Sequence, residues 1–286
     1  MSEKKDNPEL RDVLKGERIT RKIHNHGMIS LVDMMPRLVP KQQTADSAIV
    51  QAARVSYGEG TKKRSEDRSL IRYLMRNRHS TPFEMVEFKF HVAMPIFVAR
   101  QWVRHRTASI NEYSGRYSIM KPNFYRPGEV RGQDAQNKQG SGELVDDYLT
   151  IAEFGAYLND AEELHGRYKG LVESGVSREL ARIGLPLNMY TEWYWKCDLH
   201  NIMHFLSLRM DSHAQKEIRD YADAMFDILC SVVPITMEAF VDYRLKGMHL
   251  SRLEVEALAS GEEIKTSNKR ERDEFSEKLR RIRGES

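Results

Sequence analysis

The sequence predicts an α+β fold, a helix-rich single domain around an antiparallel sheet. Two segments alternate apolar and polar side chains with the period of two that is typical of half-buried strands, namely Met85–Val92 and TEWYWKCDL. Segments with helical periodicity do not alternate with strands in the regular order that a parallel sheet requires. With 286 residues, 40% of them hydrophobic, the chain is long enough to bury a sizeable core.

Before the first of these strands, the sequence predicts one more strand and two helices. Residues 1–27 are polar, and we expect them to be loosely ordered. MISLVDMMPRLV is predicted to be a strand that Pro36 ends, and TADSAIVQAARVSY a helix that begins at Thr44. SEDRSLIRYLMRNR is predicted to be a second helix with Ser65 as its N-cap. One side of the first helix is expected to carry Ala48, Ile49, Ala52 and Val55.

The middle of the chain predicts helices and one long loop. Pro95 is expected to be the first residue of a short helix, PIFVARQWVRHR, because that position tolerates proline. The segment Arg126–Asp147 has no periodicity and many Gly, Gln and Asp residues, which indicates a surface loop. A long helix is expected from about Glu143 to Ser174, and a short one from Val176 to Ile183.

The last third is predicted to be helical. Asp198 is expected to cap the helix DLHNIMHFLSLRM, and AQKEIRDYADAMFDILCSVV predicts an amphipathic helix that ends near Pro234. From Gly261 the sequence is almost all charged, which indicates a frayed segment or a solvated helix. The expected organisation is a loosely ordered segment (1–27), one domain (28–260) and a charged tail (261–286).

Composition limits the class of protein. Lys and Arg number 45 and Asp and Glu 42, and a net charge of +3 does not by itself indicate nucleic-acid binding. The two cysteines, Cys197 and Cys230, have no metal-like spacing, which favours a reducing compartment without disulfides. The N-terminus lacks an apolar signal segment, and no apolar run is long enough to predict a membrane span. We therefore expect a cytoplasmic protein that binds neither nucleic acid nor a membrane.

The stretch RHRTASINEYSGRY concentrates three arginines among small polar residues. Gln101 lies three residues before Arg104 and four before His105, so the three would share one face of the predicted helix. With Ser114 and the glycine after it, these groups would form a cradle for a phosphate or carboxylate. The alternative is a solvated loop whose arginines pair with surface acids.

Metal and nucleophile patterns are weak. HNIMH places His200 and His204 four residues apart on a helix, as in zinc peptidases, but Asn201 stands where the glutamate base is needed. We therefore expect no metal site, and interpret these histidines as ligand-binding or core groups. Both cysteines lie in apolar segments, where thiols are usually inert. Ser114 is a possible nucleophile, but no neighbouring residue identifies its base.

Arg104, His105 and Arg106, followed by seven residues and Ser114, match the RHR-x7-S signature, so the chain resembles the flavin-dependent thymidylate synthases. Other blocks look like those of that family in the same order, over about Ala45–Gln215: RVSYG, HSTPFE, QWVRHR, NEYSGRY, ARIGLPLN and FLSLRMDSHAQ. The resemblance implies the α+β fold of the thymidylate synthase-complementing proteins. It also implies a homotetramer whose active sites are shared between subunits.

The implied reaction is the reductive methylation of dUMP to dTMP in dTMP biosynthesis. The family uses 5,10-methylenetetrahydrofolate as carbon donor and FAD, reduced by NADPH, as hydride carrier, and needs no enzyme cysteine. Carried over by position, the dUMP-binding residues would be Gln101, Trp102, Val103, Arg104, Glu112, Tyr113, Ser114, Gly115, Arg116, Arg182 and Arg209. Those contacting FAD would be Thr81, Arg104, His105, Arg106, Glu112, Asp198, Leu199, His200 and His204, with Ser56, His79 and Glu84 as weaker candidates.

By the same resemblance, Arg209 is the catalytic residue that activates the pyrimidine. Carbon 5 of uracil is a poor nucleophile, and a cation at the N3–O4 edge would stabilise an ionised, enolate-like ring. Arginine suits that task because it stays protonated. On this interpretation Ser114 binds the ligand and is not a nucleophile.

Overall fold

The structure, a computed structural model, describes residues 9–56, 66–135 and 138–285. Its strands are β1 (Leu10–Asp12), β2 (Ile19–Ile23), β3 (Gly27–Met35), β4 (Leu38–Pro40), β5 (Glu87–Pro95), β6 (Ser109–Glu112), β7 (Arg131–Gln133), β8 (Ser141–Leu144) and β9 (Tyr190–Asp198). Its helices are α1 (Asp46–Val55), α2 (Asp67–Arg76), α3 (Thr81–Glu84), α4 (Ile96–Trp102), α5 (Tyr148–Glu173), α6 (Arg178–Ala181), α7 (Leu199–Arg209), α8 (Lys216–Val232), α9 (Pro234–Phe240), α10 (Arg252–Ser260) and α11 (Lys269–Arg283). A 3-10 turn, Arg182–Gly184, follows α6, and a π-helical turn, Val241–Leu245, follows α9.

The main sheet has five antiparallel strands in the order β2-β3-β5-β9-β6. The two strands that the sequence predicts most strongly, β5 and β9, lie side by side within it. They pair without interruption from Glu87 opposite Asp198 to Pro95 opposite Tyr190. The predicted helix-rich α+β fold with an antiparallel sheet is therefore confirmed.

One face of this sheet carries the core. Along β5, Phe88, Phe90 and Val92 have no exposed surface, as the period of two predicts. Helices α4, α7 and α8 contact the sheet. The ring of Phe205 on α7 lies 4.6 Å from Trp102 on α4 and 5.8 Å from Trp195 on β9, measured between centroids. This aromatic cluster joins the two helices to the central strand.

The N-terminal segment is more ordered than its polarity predicts. Within residues 1–27, β1 pairs with β4, and β2 pairs with β3 from Ile19 opposite Leu31 to Ile23 opposite Gly27. The expectation of a loosely ordered segment is therefore wrong for these strands. The reason is that β2 is an edge strand, which needs few apolar residues because much of it stays exposed.

Helix α1 differs from its predicted form. It begins at Asp46, not at Thr44, and buries Ile49, Val50 and Ala53. Val55, expected on the apolar side, is 85% exposed. Helix α2 is confirmed, whereas its predicted N-cap, Ser65, lies outside the described residues.

Helix α4 ends earlier than predicted. Pro95 is the N-cap and the last residue of β5, and the helix stops at Trp102. The residues Arg104–Arg106 therefore follow the helix and do not share a helical face with Gln101. Trp102 is fixed in the aromatic cluster, and the chain turns after it to bring β6 to the edge of the sheet beside β9.

The predicted loop Arg126–Asp147 contains the antiparallel pair β7–β8. Because β8 occupies residues 141–144, the long helix α5 begins at Tyr148 and not near Glu143. Asp147 is its N-cap, and its Oδ2 accepts a hydrogen bond from the backbone N–H of Thr150 at 2.7 Å. The predicted helices at 198–210 and 214–233 are confirmed as α7 and α8.

The chain separates into two compact units, one ending at Glu238 and the other beginning at Ala239. In the second unit, Ala257 of α10 packs with Phe275 of α11 and with Ile264 between them. The predicted charged tail, which begins at Gly261, is therefore only part of that unit, and it contains a regular helix. No helix in the described part of the chain is long and apolar enough to cross a membrane.

Replacing Phe205 with alanine is expected to lower the free energy of unfolding by about 3–5 kcal/mol, because it opens a cavity beside Trp102 and Trp195. Urea denaturation followed by tryptophan fluorescence measures this loss. Leu10→Ala is the control, since Leu10 is 60% exposed and its replacement should change the stability by about 0.5 kcal/mol or less. Equal losses in the two variants would contradict the assignment of Phe205 to the core.

Candidate functional site

An arginine and a histidine meet where α4 and α7 end. Arg209, the last residue of α7, donates from Nε to Nε2 of His105 at 3.0 Å and from Nη2 to the backbone carbonyl of Gln101 at 3.3 Å. Arginine has five N–H donors, and these two bonds use two of them. The others have no partner within the described residues, so they remain available to a ligand.

His105 holds Arg209 as a neutral acceptor. Burial, with smaller contributions from the charges of Arg209 and His204, lowers the pKa of His105 to about 4. At neutral pH the imidazole therefore carries its proton on Nδ1 and offers the lone pair of Nε2 to the guanidinium. Burial also lowers the pKa of Arg209, but a guanidinium stays protonated in proteins. The pair thus carries one positive charge.

Two arginines of the RHR sequence are exposed cations. Arg104 and Arg106 are exposed, and neither makes a hydrogen bond or ion pair with the parts of the chain that are described. In the same stretch only Arg116 pairs with an acid, through Nη2 to Glu179 Oε2 at 3.2 Å. The interpretation as a solvated loop of paired arginines therefore fits Arg116 alone.

Strand β6 positions a second polar group. It pairs with β9 from Ser109 opposite Lys196 to Glu112 opposite Trp193. Glu112 Oε1 accepts a hydrogen bond from Thr191 Oγ1 at 2.7 Å. The sequence predicts a loop here, because SINE is largely polar and shows no clear alternation.

The turn after β6 is the predicted anion cradle. Tyr113 is held by its hydroxyl, which donates to the carbonyl of Ile119 at 2.8 Å. Ser114 Oγ accepts from the backbone N–H of Arg116 at 3.3 Å. Gly115 is buried, and a Cβ at this position would lie 3.2 Å from Sδ of Met120 and 3.4 Å from Cδ of Arg182. The glycine thus lets Met120 pack closely against the turn, with Arg182 beside it.

One of the predicted nucleotide contacts, Trp102, has no exposed side chain to offer. Trp102 is 0% exposed and belongs to the aromatic cluster, whereas Val103 after it is 38% exposed. A ligand would reach Trp102 only through its backbone. The side chain of Trp102 therefore serves the hydrophobic core and does not bind a ligand.

Apart from Arg104–Arg106 and Glu112, the predicted flavin contacts lie in two places. A cavity of about 900 Å³ lies between α1, α2 and the start of α3, and its lining includes Gln51, Ser56, Tyr73, His79, Thr81 and Met85. This mixture of apolar and polar groups suits a planar, heteroaromatic ligand with polar edges. Glu84 is not part of the lining.

The second group lies on α7. Asp198 caps that helix, and its two carboxylate oxygens accept from the backbone and side-chain N–H groups of Asn201 at 2.9 and 2.8 Å. Leu199 is 0% exposed, so its side chain belongs to the core. His200 is half-buried, and His204 is exposed with its ring 5.9 Å from that of His105. Of these residues, His204 is the one whose ring contacts the Arg209–His105 pair.

Contacts within one subunit connect only some of the predicted residues. Within the described residues, no hydrogen bond or ion pair joins the turn at Ser114–Arg116 to the Arg209–His105 pair. Helix α3, which begins at Thr81 of the cavity lining, contacts α7, which ends at Arg209.

The thiols are poor candidates for chemistry. Cys197 is buried, and its Sγ donates to the carbonyl of Thr107 at 3.1 Å. Burial raises the pKa of both Cys197 and Cys230, which disfavours the thiolate. Over residues 9–56, 66–135 and 138–285, no group of three or more His, Cys, Asp or Glu side chains is arranged to hold a metal ion.

Sequence reasoning missed the polar residues that support Gln101. The side-chain amide of Gln101 donates to Gln215 Oε1, and Gln215 Nε2 donates to Glu217 Oε2 at 2.8 Å. Glu217 lies four residues before Tyr221 on the buried side of α8. A carboxylate on the apolar side of an amphipathic helix was the available signal.

Comparison with known proteins places these features in a family. Residues 37–235 match the family described as thymidylate synthase complementing protein. A flavin-dependent thymidylate synthase of Dictyostelium discoideum is 57% identical over 273 residues, which are 94% of this chain and 90% of that protein. One of Thermus thermophilus is 54% identical over 242 residues, 84% of this chain and 85% of the relative.

A solved structure is also similar. It is that of a UMP/dUMP methylase, PolB, from Streptomyces cacaoi bound with 5-Br dUMP. The TM-score is 0.65 at 34% sequence identity, and the match covers 77% of this chain and 97% of that one. The likeness therefore extends over both sequence and fold.

The imidazole of His105 is expected to titrate with a midpoint pKa of about 4, well below the ordinary value of 6.5. In this window the unfolded chain binds a proton that the native protein does not, so this group makes the protein less stable as pH falls from 6.5 towards 4. Histidine NMR resonances, assigned with the variant His105→Gln, measure the midpoint. A midpoint near the ordinary value would show that Arg209 and burial do not act on His105 as described.

Proposed function

Because this chain belongs to the family of the flavin-dependent thymidylate synthases, we propose that it converts dUMP to dTMP by reductive methylation. In this proposal 5,10-methylenetetrahydrofolate donates the carbon, and FAD reduced by NADPH carries the hydride. The relatives named above and the RHR-x7-S sequence support it. The protein would act in dTMP biosynthesis in the cytoplasm.

The observation that carries the proposal is the Arg209–His105 pair. A protonated guanidinium with free donors, held by a neutral imidazole at 3.0 Å, is a fixed cation that cannot lose its charge to its neighbour. Placed at the N3–O4 edge of uracil, it would stabilise the ionised, enolate-like ring from which carbon 5 attacks an electrophile. Arg209 is therefore the proposed catalytic residue.

The phosphate of dUMP would bind to the cradle. Arg104 is an exposed cation without an acidic partner in the described residues, and Ser114 and the backbone at Gly115 offer donors on the turn after β6. Arg182 lies against that turn and adds a further cation. Planar guanidinium groups bind phosphate oxygens in pairs, which fits this use of arginine.

A flavin would fit the cavity that Thr81, His79 and Ser56 line, since its volume and mixed polarity suit an isoalloxazine ring. When bound, the flavin supplies the hydride, and this chain's residues orient the reactants and exclude water. Arg106 and His204 do not line that cavity, but both are exposed and would also contact the cofactor. No cysteine nucleophile is needed, which fits two thiols whose raised pKa keeps them protonated.

We further propose a homotetramer in which subunits share active sites. A complete site requires the cradle and the Arg209–His105 pair to face one nucleotide, and no hydrogen bond or ion pair between described residues joins them in one chain. A second copy of the chain would bring a cradle to the Arg209 of its neighbour. The resemblance of the RHR-x7-S sequence to the family is the support for this arrangement.

The visible spectrum of the purified protein tests the function directly. Flavin absorption is expected to bleach when NADPH is added, and faster when dUMP is also present. Formation of dTMP from dUMP and 5,10-methylenetetrahydrofolate is then followed by chromatography. A colourless protein that does not take up FAD would refute the proposal.

The variant Arg209→Ala is expected to retain flavin but to lose nearly all dTMP formation, by a factor of about 100 to 1,000, because one preorganised group that stabilises developing charge has that effect. Arg209→Lys keeps the charge but not the planar fork, and should lose less. Arg270→Ala is the control, since that side chain is 87% exposed in the second unit. Turnover near the wild-type rate in Arg209→Ala would contradict the activation role.

A further inference from the structure

Glu217 is a buried carboxylate that receives three hydrogen bonds from three different segments. It is the second residue of α8 and is 2% exposed. Its Oε1 accepts from the hydroxyl of Tyr125 at 2.9 Å and from Nη2 of Arg131 on β7, and its Oε2 accepts from Nε2 of Gln215 at 2.8 Å. Arg131 neutralises the charge, so the carboxylate is both satisfied and paired.

These partners keep Glu217 ionised. Burial by itself raises the pKa of Glu217. The hydrogen bonds from Arg131, from its own backbone N–H, from Tyr125 and from Gln215 lower the pKa by more than burial raises it, so the net shift is downward. An ionised carboxylate can only accept hydrogen bonds. The amide of Gln215 must therefore turn its NH₂ group towards Glu217.

This orientation sets that of the next amide. With its NH₂ on Glu217, Gln215 presents its carbonyl Oε1, which accepts from Nε2 of Gln101. Gln101 then has its own carbonyl, Oε1, left as an acceptor, and this oxygen has no partner within the described residues. Its backbone carbonyl accepts from Arg209 at 3.3 Å, so Gln101 is in direct contact with the proposed catalytic arginine.

We infer that Glu217 is a positioning residue that acts through Gln215 to hold the Gln101 side-chain carbonyl as an acceptor for a hydrogen-bond donor of the bound nucleotide. The inference rests on the proposed function, in which Gln101 contacts dUMP. Without an acceptor-only group at one end, two adjacent amides exchange roles freely, and Gln101 presents its carbonyl or its NH₂ group equally well. Glu217 removes that freedom before the nucleotide binds.

The pair β7–β8 takes part in the same arrangement. Arg131 is the only cation that bonds Glu217 in the described residues, and it comes from the strand that begins this pair. The segment that sequence analysis predicts as a surface loop thus supplies the counter-charge of a buried carboxylate. Arg131 thereby helps to keep Glu217 ionised.

The test is a double-mutant cycle of Gln101→Ala, Glu217→Gln and the two together. The dissociation constant of dUMP is measured from the change that it causes in the absorption of the oxidised flavoprotein. Glu217→Gln is expected to weaken dUMP binding about tenfold, the effect of one hydrogen bond, because a neutral amide at this position can donate as well as accept. Gln101→Ala alone should weaken it at least as much, and the double variant no more than Gln101→Ala.

Additive losses in the double variant would overturn the inference, since a residue that merely stabilises the fold acts independently of Gln101. Unchanged dUMP affinity in Glu217→Gln would overturn it as well. Gln215→Ala is the second variant, because it breaks the relay while leaving Arg131 on Glu217. It should weaken dUMP binding as Glu217→Gln does, and should also be non-additive with Gln101→Ala.

Glu254→Gln is the matched control. Glu254 is also a buried glutamate, 5% exposed, that pairs with one cation, Lys278, at 2.7 Å within the second unit. Its replacement should lower the melting temperature without changing dUMP affinity. Wild-type protein that carries no flavin and binds no dUMP would refute the proposed function, whereas normal wild-type binding with additive losses would refute only the role of Glu217.

Discussion

The pairing of β5 with β9 is the constraint on which the other elements depend. The strands are antiparallel, so their C-terminal residues lie at opposite ends of the pair. Each strand continues directly into a helix, β5 into α4 and β9 into α7. Phe205 of α7 stacks on Trp102, the last residue of α4, so the C-terminal ends of the two helices meet. That meeting point is where Arg209 contacts Gln101 and His105.

The parts of the fold that could be predicted are those in which burial dominates. Phe88, Phe90, Trp193 and Trp195 alternate with less buried residues because one face of the sheet carries the core, and this pattern is visible without any tertiary information. Strand β6 could not be predicted in this way, since all four of its residues are exposed and its order comes from hydrogen bonds to β9. Strand β2 and the β7–β8 pair could not be predicted from local sequence either. Their order also comes from hydrogen bonds to partner strands, and local sequence does not identify those partners.

For the candidate site, the motifs named residues without predicting where the structure places them. Arg104 and His105 are expected on one helical face with Gln101, but α4 stops at Trp102, whose burial in the aromatic cluster is a tertiary effect. The pair formed by Arg209 and His105 joins residues 104 positions apart, so no local pattern could have predicted it. Glu217 offered only one sequence signal, a carboxylate on the apolar side of an amphipathic helix, because its role comes from its partners on β7 and on the segment before α8.

The direct passage from strand to helix at Pro95 and Asp198 has a consequence for how this chain can vary in length. Each residue of a helix turns the next by about 100°, so inserting or deleting one residue at either junction would rotate the whole helix against the sheet. With no loop to absorb the change, Arg209 would leave the side of α7 that faces His105, and Phe205 would leave Trp102. Length variation among related chains should therefore concentrate elsewhere, for instance between β7 and β8, while the spacing from each central strand to the residue at the end of its helix stays constant.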